Sequence, residues 1–164
     1  MSLKTAHIAL GSNLGDRMSR LRAALDKLEV AGDIQIEAVS PVYSNAAIGL
    51  GKVPDFLNAV IRLLTSLSPE ELLERCLSIE ADLGRLRSDQ PTSRTIDLDL
   101  LLYEDVRLNS PRLQLPHPRI EQRDFVARPL MDLDPDLTVS GKPIQAILSA
   151  IPSGRLFPWP EALR

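Results

Sequence analysis

The stretch Arg94-Thr95-Ile96-Asp97-Leu98-Asp99-Leu100-Leu101-Leu102-Tyr103 has the pattern of a β-strand, and the fold prediction depends on it. It is mostly apolar, lacks glycine and proline, and is followed by a turn-like Glu104-Asp105 pair. Side chains alternate across a strand, so we expect Asp97 and Asp99 on one face and Ile96, Leu98, Leu100 and Leu102 on the other. Two carboxylates about 7 Å apart on one strand can offer oxygens to hard cations such as Mg²⁺. A strand with one solvated face would explain the pair equally well.

The overall composition excludes several classes of protein. The net charge of −3 argues against non-specific binding to nucleic acid. No apolar run approaches the roughly 20 residues of a membrane span, and the first residues lack the pattern of a signal peptide. The single cysteine, Cys76, rules out an internal disulfide and suits a reducing compartment. We therefore expect a cytoplasmic protein with neither a membrane nor a nucleic acid as partner.

Arginine is concentrated in one part of the chain. Eight of the fifteen arginines lie between residues 85 and 128, and no lysine occurs from Val53 to Gly141. The planar guanidinium group binds phosphate oxygens in a bidentate manner, which the lysine ammonium cannot do. This region is therefore a candidate for phosphate binding, although scattered surface arginines remain an alternative for Arg107 and Arg128.

The order of predicted elements indicates the fold class. Strands are predicted at 6–10, 34–43, 56–65 and along the Asp97 stretch, and Ser40-Pro41 is expected to be a kink or edge feature of the second. Helices are predicted between Asp16 and Gly32 and between Ser68 and Gly84. This βαββαβ order is typical of an α+β, ferredoxin-like antiparallel sheet with both helices on one face. The glycine-containing loop at 11–15 is neither a Rossmann fingerprint nor a P-loop. We predict a loop at 44–55 and irregular structure at 115–118, where prolines restrict their neighbours.

The remainder of the chain is predicted to form an extension of helices and loops on the same domain. A short helix interrupted by Pro129 is predicted at 124–131, a loop at 132–137, and a second short helix at 142–150. We expect one domain for residues 1–164, with a core at about 5–137 and a proline-rich tail at 152–164.

Two residues in these elements allow more than one interpretation. Asn58 is a polar residue in an otherwise apolar strand, so its amide either holds the backbone or contacts a ligand; a structural role is the default. Cys76 lies on the apolar face of its helix, where a small core residue is the favoured interpretation over a nucleophile.

Five motifs in this order and spacing resemble one family. They are Gly11-Ser12-Asn13-Leu14-Gly15, Asp55-Phe56-Leu57-Asn58-Ala59, Ile79-Glu80 with Gly84-Arg85-Leu86-Arg87, Arg94-Thr95-Ile96-Asp97-Leu98-Asp99, and Leu115-Pro116-His117-Pro118-Arg119. The chain is similar from about residue 6 to residue 137 to the 6-hydroxymethyl-7,8-dihydropterin pyrophosphokinases of folate biosynthesis. The family's fold is ferredoxin-like, in agreement with the predicted element order.

The resemblance implies a reaction and its small-molecule partners. The hydroxymethyl oxygen of the pterin attacks the β-phosphorus of ATP, and pyrophosphate is transferred with release of AMP. Such chemistry depends on positioning and charge neutralisation rather than on a covalent nucleophile. The resemblance implies that Asp97 and Asp99 hold two Mg²⁺ ions. We expect a monomer.

The resemblance also implies roles for individual residues, which it transfers by matching position. The catalytic residues implied are Asp97, Asp99, Arg85 and Arg94. The residues implied to bind the nucleotide are Glu80, Arg87, Arg94, Leu100, Arg112, His117 and Arg123. The residues implied to bind the pterin are Asn45, Ala46, Ile48, Phe56, Asn58, Asp97 and Phe125.

The chain departs from the family pattern in both loops near these residues. Asn45-Ala46 stands where the family usually has Thr-Pro, and Gln90-Pro91-Thr92-Ser93 stands where it often has Trp-Gly-Pro. These departures leave one alternative open, an inactive relative that binds pterin or nucleotide without transfer. RNA recognition by the sheet is a weaker alternative, because it requires aromatic residues on a basic surface and this chain has 4% aromatic residues.

Overall fold

A six-stranded antiparallel sheet with helices on both faces forms the framework of the protein. The computed structural model describes residues 2–13, 16–45, 55–84, 96–152 and 156–164. Its helices are α1 (Arg17–Glu29), α2 (Pro69–Asp82), α3 (Asp124–Leu133) and α4 (Ile144–Ala150), with a 3₁₀-helix at Pro118–Glu121. Its strands are β1 (Lys4–Ser12), β2 (Ile34–Val39), β3 (Tyr43–Asn45), β4 (Phe56–Thr65), β5 (Asp97–Tyr103), β6 (Leu108–Asn109), β7 (Gln114–Leu115), β8 (Thr138–Val139), β9 (Lys142–Pro143) and β10 (Leu156–Pro158). The fold class is therefore α+β.

The strand order places β1 and β4 at the centre of the sheet. The order is β10-β3-β4-β1-β5, and β2 pairs with β4 beside β3. The predicted strand at 56–65 is confirmed with the same bounds, and both of its faces are largely buried. β5, which carries Asp97 and Asp99, pairs with β1 and ends the sheet on one side within the described residues.

Helices α1 and α2 pack against the same face of the sheet, as predicted. Each begins at a side-chain cap: Asp16 accepts a hydrogen bond from the Ser19 amide at 3.1 Å, and Ser68 and Glu71 form a reciprocal capping box. Such caps stabilise a helix end by roughly 1 kcal/mol each. The apolar positions that the periodicity predicts for the two helices are buried in one core with Ile8 and Leu10 of β1. They are Met18, Leu21, Leu25, Leu28, Leu72, Cys76, Ile79 and Leu83.

Helices α3 and α4 cover the opposite face, against Ala9, Val60 and Leu101. Polar contacts fix the end of α3 to three strands. His7 Nε2 lies 2.6 Å from Asp134 Oδ2, Arg62 donates to Asp134 Oδ1 at 2.8 Å, and the Tyr43 hydroxyl donates to Asp132. The predicted extension is thus a second layer that is packed tightly onto the sheet.

The structure confirms the predicted irregularity at Ser40-Pro41 in one strand and corrects the predicted face of a residue in another. The predicted strand at 34–43 is divided into β2 and β3 at Ser40-Pro41, where the Ser40 hydroxyl accepts a hydrogen bond from the Val60 amide at 2.9 Å. Pro41 has no N–H to donate to the ladder. At the break the Ser40 hydroxyl, instead of a backbone carbonyl, is the acceptor for the Val60 amide. In β5 a register shift opposite His7 and Ile8 moves Leu102 to the α3 face, so its predicted place beside Leu98 and Leu100 is wrong.

Predicted loops are also shorter than expected. Gly11 and Ser12 belong to β1, and Ser44 and Asn45 belong to β3. Leu115 lies in β7 and Pro118 begins the 3₁₀-helix, so the prediction of irregular structure throughout 115–118 is wrong.

Proline is accommodated where the sequence predicts interruption. α3 continues through Pro129 to Leu133, because a proline at its sixth position removes the donor to a single carbonyl in the first turn. The proline-rich tail contains β10, which pairs with β3 and tolerates Pro158 at the sheet edge.

Within the described residues, none of the helices has the length and apolar character that a membrane span requires.

Candidate active site

A first cavity of about 280 Å³ lies on the face of the sheet that α3 covers. The five predicted pterin-binding residues that the structure describes all line it: Asn45, Phe56, Asn58, Asp97 and Phe125. The remaining lining residues are Ala9, Leu10, Gly11, Asp99, Arg123 and Val126. The sheet order explains this convergence, because Gly11 of β1 is opposite Asn58 on one side and Asp97 on the other.

Asp97 and Asp99 share one face of β5, as the alternation predicts. They lie opposite Gly11 and Ala9 of β1, both are partly buried, and both line the first cavity. Among the described residues, no cluster of three or more histidine, cysteine or carboxylate side chains forms a metal site made of protein ligands alone. Two carboxylates are nevertheless a suitable donor set for Mg²⁺, which commonly binds one or two carboxylates together with substrate phosphates.

Asn58 is held by the protein and also lines the cavity. Its side chain is 6% exposed, and its amide nitrogen donates to Asn45 Oδ1. A Cβ atom at Gly11 would lie 2.8 Å from Asn58 Oδ1, so the absence of a side chain there makes room for the amide. A structural partner and exposure to the cavity coexist, and the two interpretations of Asn58 do not exclude each other.

Phe125 and Arg123 come from the first turn of α3. Arg123 is the N-cap residue, and its guanidinium carbon lies 5.5 Å from the centroid of the Phe125 ring. A cation at this distance attracts the face of an aromatic ring and restricts the orientation of both side chains. The contacts of Asp132 and Asp134 at the other end of α3 fix the position of this pair above the sheet.

A second cavity of about 370 Å³ lies between β5, α2 and the segment 111–118. Three predicted nucleotide-binding residues line it, namely Leu100, Arg112 and His117. Leu73 and Leu77 of α2 also line it. Asp99 lines both cavities, so the carboxylates of β5 stand at the place where the two cavities meet.

His117 has a defined protonation state in this cavity. Its Nδ1 accepts a hydrogen bond from the Arg119 amide at 3.1 Å. Burial lowers the pKa of His117, and the positive charges of Arg123 and Arg119 lower it further. The ring is therefore neutral at neutral pH with its proton on Nε2, which makes it a hydrogen-bond donor.

Arg112 and Glu80 have partners within the protein. Arg112 donates to Glu74 of α2, and its side chain is 65% exposed. Glu80 is 2% exposed and accepts a hydrogen bond from the Leu98 amide at 2.8 Å. Leu98 lies between the two aspartates, so Glu80 holds the backbone of β5 at that point. Glu80 lines neither cavity, and its contact with the nucleotide stays a prediction.

Some predicted site residues lie outside the described part of the chain: Arg85, Arg87, Arg94, Ala46 and Ile48. Sequence reasoning missed other residues that the structure places in the first cavity, above all Ala9, Gly11 and Val126. A signal for Gly11 was present, because a glycine that continues an apolar strand often marks the close approach of a ligand or another chain segment.

Residues 7–135 match the family model described as 7,8-dihydro-6-hydroxymethylpterin-pyrophosphokinase (HPPK). The chain belongs to this family. It is 39% identical over 151 residues to the 2-amino-4-hydroxy-6-hydroxymethyldihydropteridine pyrophosphokinase of Pseudomonas aeruginosa, a match that covers 92% of this chain and 93% of the relative.

Members of the HPPK family also occur within longer proteins. The chain is 39% identical to the folic acid synthesis protein fol1 of Schizosaccharomyces pombe over 92% of its own length, which is 21% of that relative. The fold matches an HPPK-DHPS crystal structure in complex with substrates, with a TM-score of 0.72 at 11% identity over 92% of this chain and 43% of the other. The chain thus spans less than half of these longer relatives, and the solved structure supports the fold alone.

Proposed function

We propose that the chain transfers pyrophosphate from ATP to the hydroxymethyl oxygen of 6-hydroxymethyl-7,8-dihydropterin, with release of AMP, as a step of folate biosynthesis. One observation carries the proposal. Two cavities meet at Asp99, on a strand whose face presents Asp97 and Asp99 together. A metal-assisted transfer of pyrophosphate between two substrates requires adjacent sites, with negative ligands for the cation at their junction.

The first cavity suits a flat, polar-edged ring such as a pterin. Phe125 and Phe56 offer apolar aromatic surface, and the Asn58 amide offers a donor and an acceptor to the edge of the ring. Asn45 holds that amide in place through its own side chain. The matched family positions Ala46 and Ile48 would add backbone contacts to the pterin.

The second cavity suits the nucleotide. Leu73, Leu77 and Leu100 provide an apolar surface for a base, while Arg112 and His117 lie on the same cavity with donors for ribose or phosphate oxygens. Arg123 lies on the first cavity and is proposed to reach the phosphates near the junction. Glu80 and Arg87 complete the proposed nucleotide set by family position.

Asp97 and Asp99 are proposed to hold two Mg²⁺ ions at the junction. When bound there, Mg²⁺ neutralises charge on the triphosphate and orients it. The carboxylates keep their position because β5 is paired with β1 on one side and supported by Glu80 from behind. Arg85 and Arg94 are proposed to stabilise charge on the transferred phosphates.

Cys76 is not suited to act as a nucleophile. Its thiol is fully buried in the core, and burial raises its pKa to about 12. The proposed reaction is a direct attack of the pterin oxygen, in which the protein supplies position and charge.

We also propose a finer description of the fold and its setting. If β2 and β3 are taken as one interrupted strand, the βαββαβ unit has four strands, namely β1, β2 with β3, β4 and β5. Numbered one to four in chain order, they have the spatial order 2-3-1-4, which supports a ferredoxin-like arrangement.

We propose one pyrophosphokinase domain for residues 1–164, a monomeric state and a cytoplasmic location. Measurement of the molar mass by light scattering tests the monomer.

The test of the reaction is the release of AMP from ATP. Purified protein is incubated with ATP, Mg²⁺ and 6-hydroxymethyl-7,8-dihydropterin, and AMP is quantified by chromatography. We expect AMP release that requires the pterin and stops when EDTA removes the metal. Binding of ATP and pterin without release of AMP would overturn the proposal and would favour an inactive relative.

A further inference from the structure

The C-terminal segment (residues 156–164) lies outside the residues that match the family model, yet it is attached to the strand that carries Asn45. Leu156 pairs with Asn45, Phe157 with Ser44 and Pro158 with Tyr43. The Trp159 amide extends this pairing by donating to the Val42 carbonyl at 2.8 Å. β3 has three residues and pairs with β4 on its other side, so the C-terminal segment supplies half of its strand contacts.

The same segment reaches the beginning of β4 through an aromatic contact. The Trp159 ring is packed against the core, and the Arg17 guanidinium carbon lies 5.1 Å from its centroid. Arg17 in turn donates to the Asp55 carbonyl at 2.8 Å. Asp55 directly precedes Phe56, so a series of contacts leads from Trp159 through Arg17 to the residue before Phe56.

The far end of the segment is anchored to α1. Arg22 donates to the Ala162 carbonyl at 2.8 Å, and Leu163 is 4% exposed in the core. Arg164 forms an ion pair with Glu29 at 2.8 Å. Buried and bonded at this end, the segment can restrain β3 and Arg17 instead of moving with them.

We propose that the C-terminal segment is a positioning element of the first cavity, which holds Asn45 and Phe56 at the spacing that the pterin requires. Both residues line that cavity, and Asn45 also fixes the Asn58 amide. The segment itself lines neither that cavity nor the second. Because Asn45 and Phe56 do not line the second cavity, we expect loss of the segment to lower the affinity for the pterin and to leave the affinity for ATP unchanged. This inference rests on the proposed function and deepens it.

The test compares the KM values of the two substrates in variants of the full chain. Trp159→Ala removes the ring beneath Arg17, and a second variant ends after Arg155 and lacks the whole segment. We expect each to raise the KM for the pterin about tenfold, the effect of losing one well-placed interaction. The KM for ATP remains within about twofold of the original value, which is well below one such interaction. Trp159→Phe keeps an aromatic ring under Arg17 and restores most of the affinity.

Phe157→Ala is the matched control. Phe157 belongs to the same segment and is 61% exposed, so its removal leaves the pairing with β3 intact. We expect unchanged KM values for this variant. If the shortened chain does not fold, Trp159→Ala alone decides the question.

The outcomes separate this inference from the proposed function. Equal increases of both KM values, or no increase in either, would overturn the positioning role while the original protein still releases AMP. Absence of pterin-dependent AMP release by the original protein would overturn the proposed function, and the positioning role with it.

Discussion

The two cavities that meet at Asp99 are built in different ways. The first lies between neighbouring strands of the sheet and the beginning of α3, and two of its polar side chains are bonded to each other: Asn58 is 6% exposed and donates to Asn45. The second lies against the edge strand β5, where Arg112 is 65% exposed and paired with Glu74. The first cavity therefore contains an amide that a neighbouring side chain holds in place, whereas the second contains an arginine that is paired with a carboxylate.

This difference has a consequence for binding energy. A side chain held by buried bonds binds a ligand without losing conformational freedom, so its removal carries a large cost in affinity. An exposed arginine must leave its present carboxylate before it binds a phosphate, so its net contribution is small. We expect substitutions on the pterin side to have larger effects than substitutions at Arg112, and β5 to have the largest because it serves both cavities.

Asp97→Asn and Asp99→Asn are expected to have the largest effect. Loss of a carboxylate from the proposed metal site should lower kcat by about 10³-fold or more, since such sites contribute several kcal/mol to the stabilisation of charge. Both side chains face the cavity, so circular dichroism should show an intact fold. Asp105→Asn, in the exposed turn after β5, is the matched control and should retain full activity. A variant of Asp97 or Asp99 with most of its activity would contradict the metal role.

Asn58→Ala is expected to act on one cavity. It removes a buried amide and leaves Asn45 without that partner, which should raise the KM for the pterin by about 10- to 100-fold. The KM for ATP should change much less. Asn109→Ala, an exposed position in β6, provides the control for loss of an asparagine amide. Equal increases of the KM values for pterin and ATP would indicate that the role of Asn58 is purely structural.

Arg112→Ala and Glu74→Gln are expected to change ATP affinity in opposite directions. Removal of Arg112 should raise the KM for ATP only about two- to fivefold, as is usual for an exposed charge. Glu74→Gln releases Arg112 from its present carboxylate and should lower the KM for ATP slightly. Higher ionic strength should reduce both effects. A rise of the KM in Glu74→Gln would show that the pair orients Arg112 rather than competing with the nucleotide.

The smallest effect concerns the dependence of stability on pH. Burial lowers the pKa of His7, although the carboxylate of Asp134 offsets part of this shift, and burial also lowers the pKa of His117. The unfolded chain therefore binds protons more readily than the folded one. The free energy of unfolding should decrease as the pH falls below the ordinary value of 6.5.

Urea denaturation at several pH values tests this expectation with one variant for each histidine. In the original protein, the free energy of unfolding should begin to decrease as the pH falls through about 6.5. This decrease should be smaller in His7→Gln and in His117→Gln, because each variant lacks one of the two histidines. A steeper loss in His7→Gln would mean that the pair with Asp134 raises the pKa of His7 on balance.

The elements that local sequence determines were predicted well. Capping residues at Asp16 and Ser68 and periodic apolar residues predicted α1 and α2, and a continuous apolar run predicted β4 with its observed bounds. These signals act within a few residues of one another, so no knowledge of the fold is required. The paired carboxylates of β5 were predicted for the same reason.

The features that failed depend on contacts between distant residues. β10 forms because a three-residue strand offers it an edge, which the prolines of the tail did not suggest. Leu102 changes face because β5 contains an irregularity opposite His7 and Ile8 of β1. The bond between Asn45 and Asn58 likewise requires the pairing of β3 with β4, which no local pattern encodes.

Alkylation of the buried thiol of Cys76 can be used to measure local unfolding of the protein. The chain has no other cysteine, and this one lies in α2 with no exposure to solvent and a pKa raised to about 12. An alkylating reagent can modify it only when α2 separates from the sheet. The rate of alkylation under native conditions therefore measures the free energy of that opening without any introduced label. Addition of ATP or pterin to the reaction would show which ligand, if either, strengthens the packing of α2 behind β5.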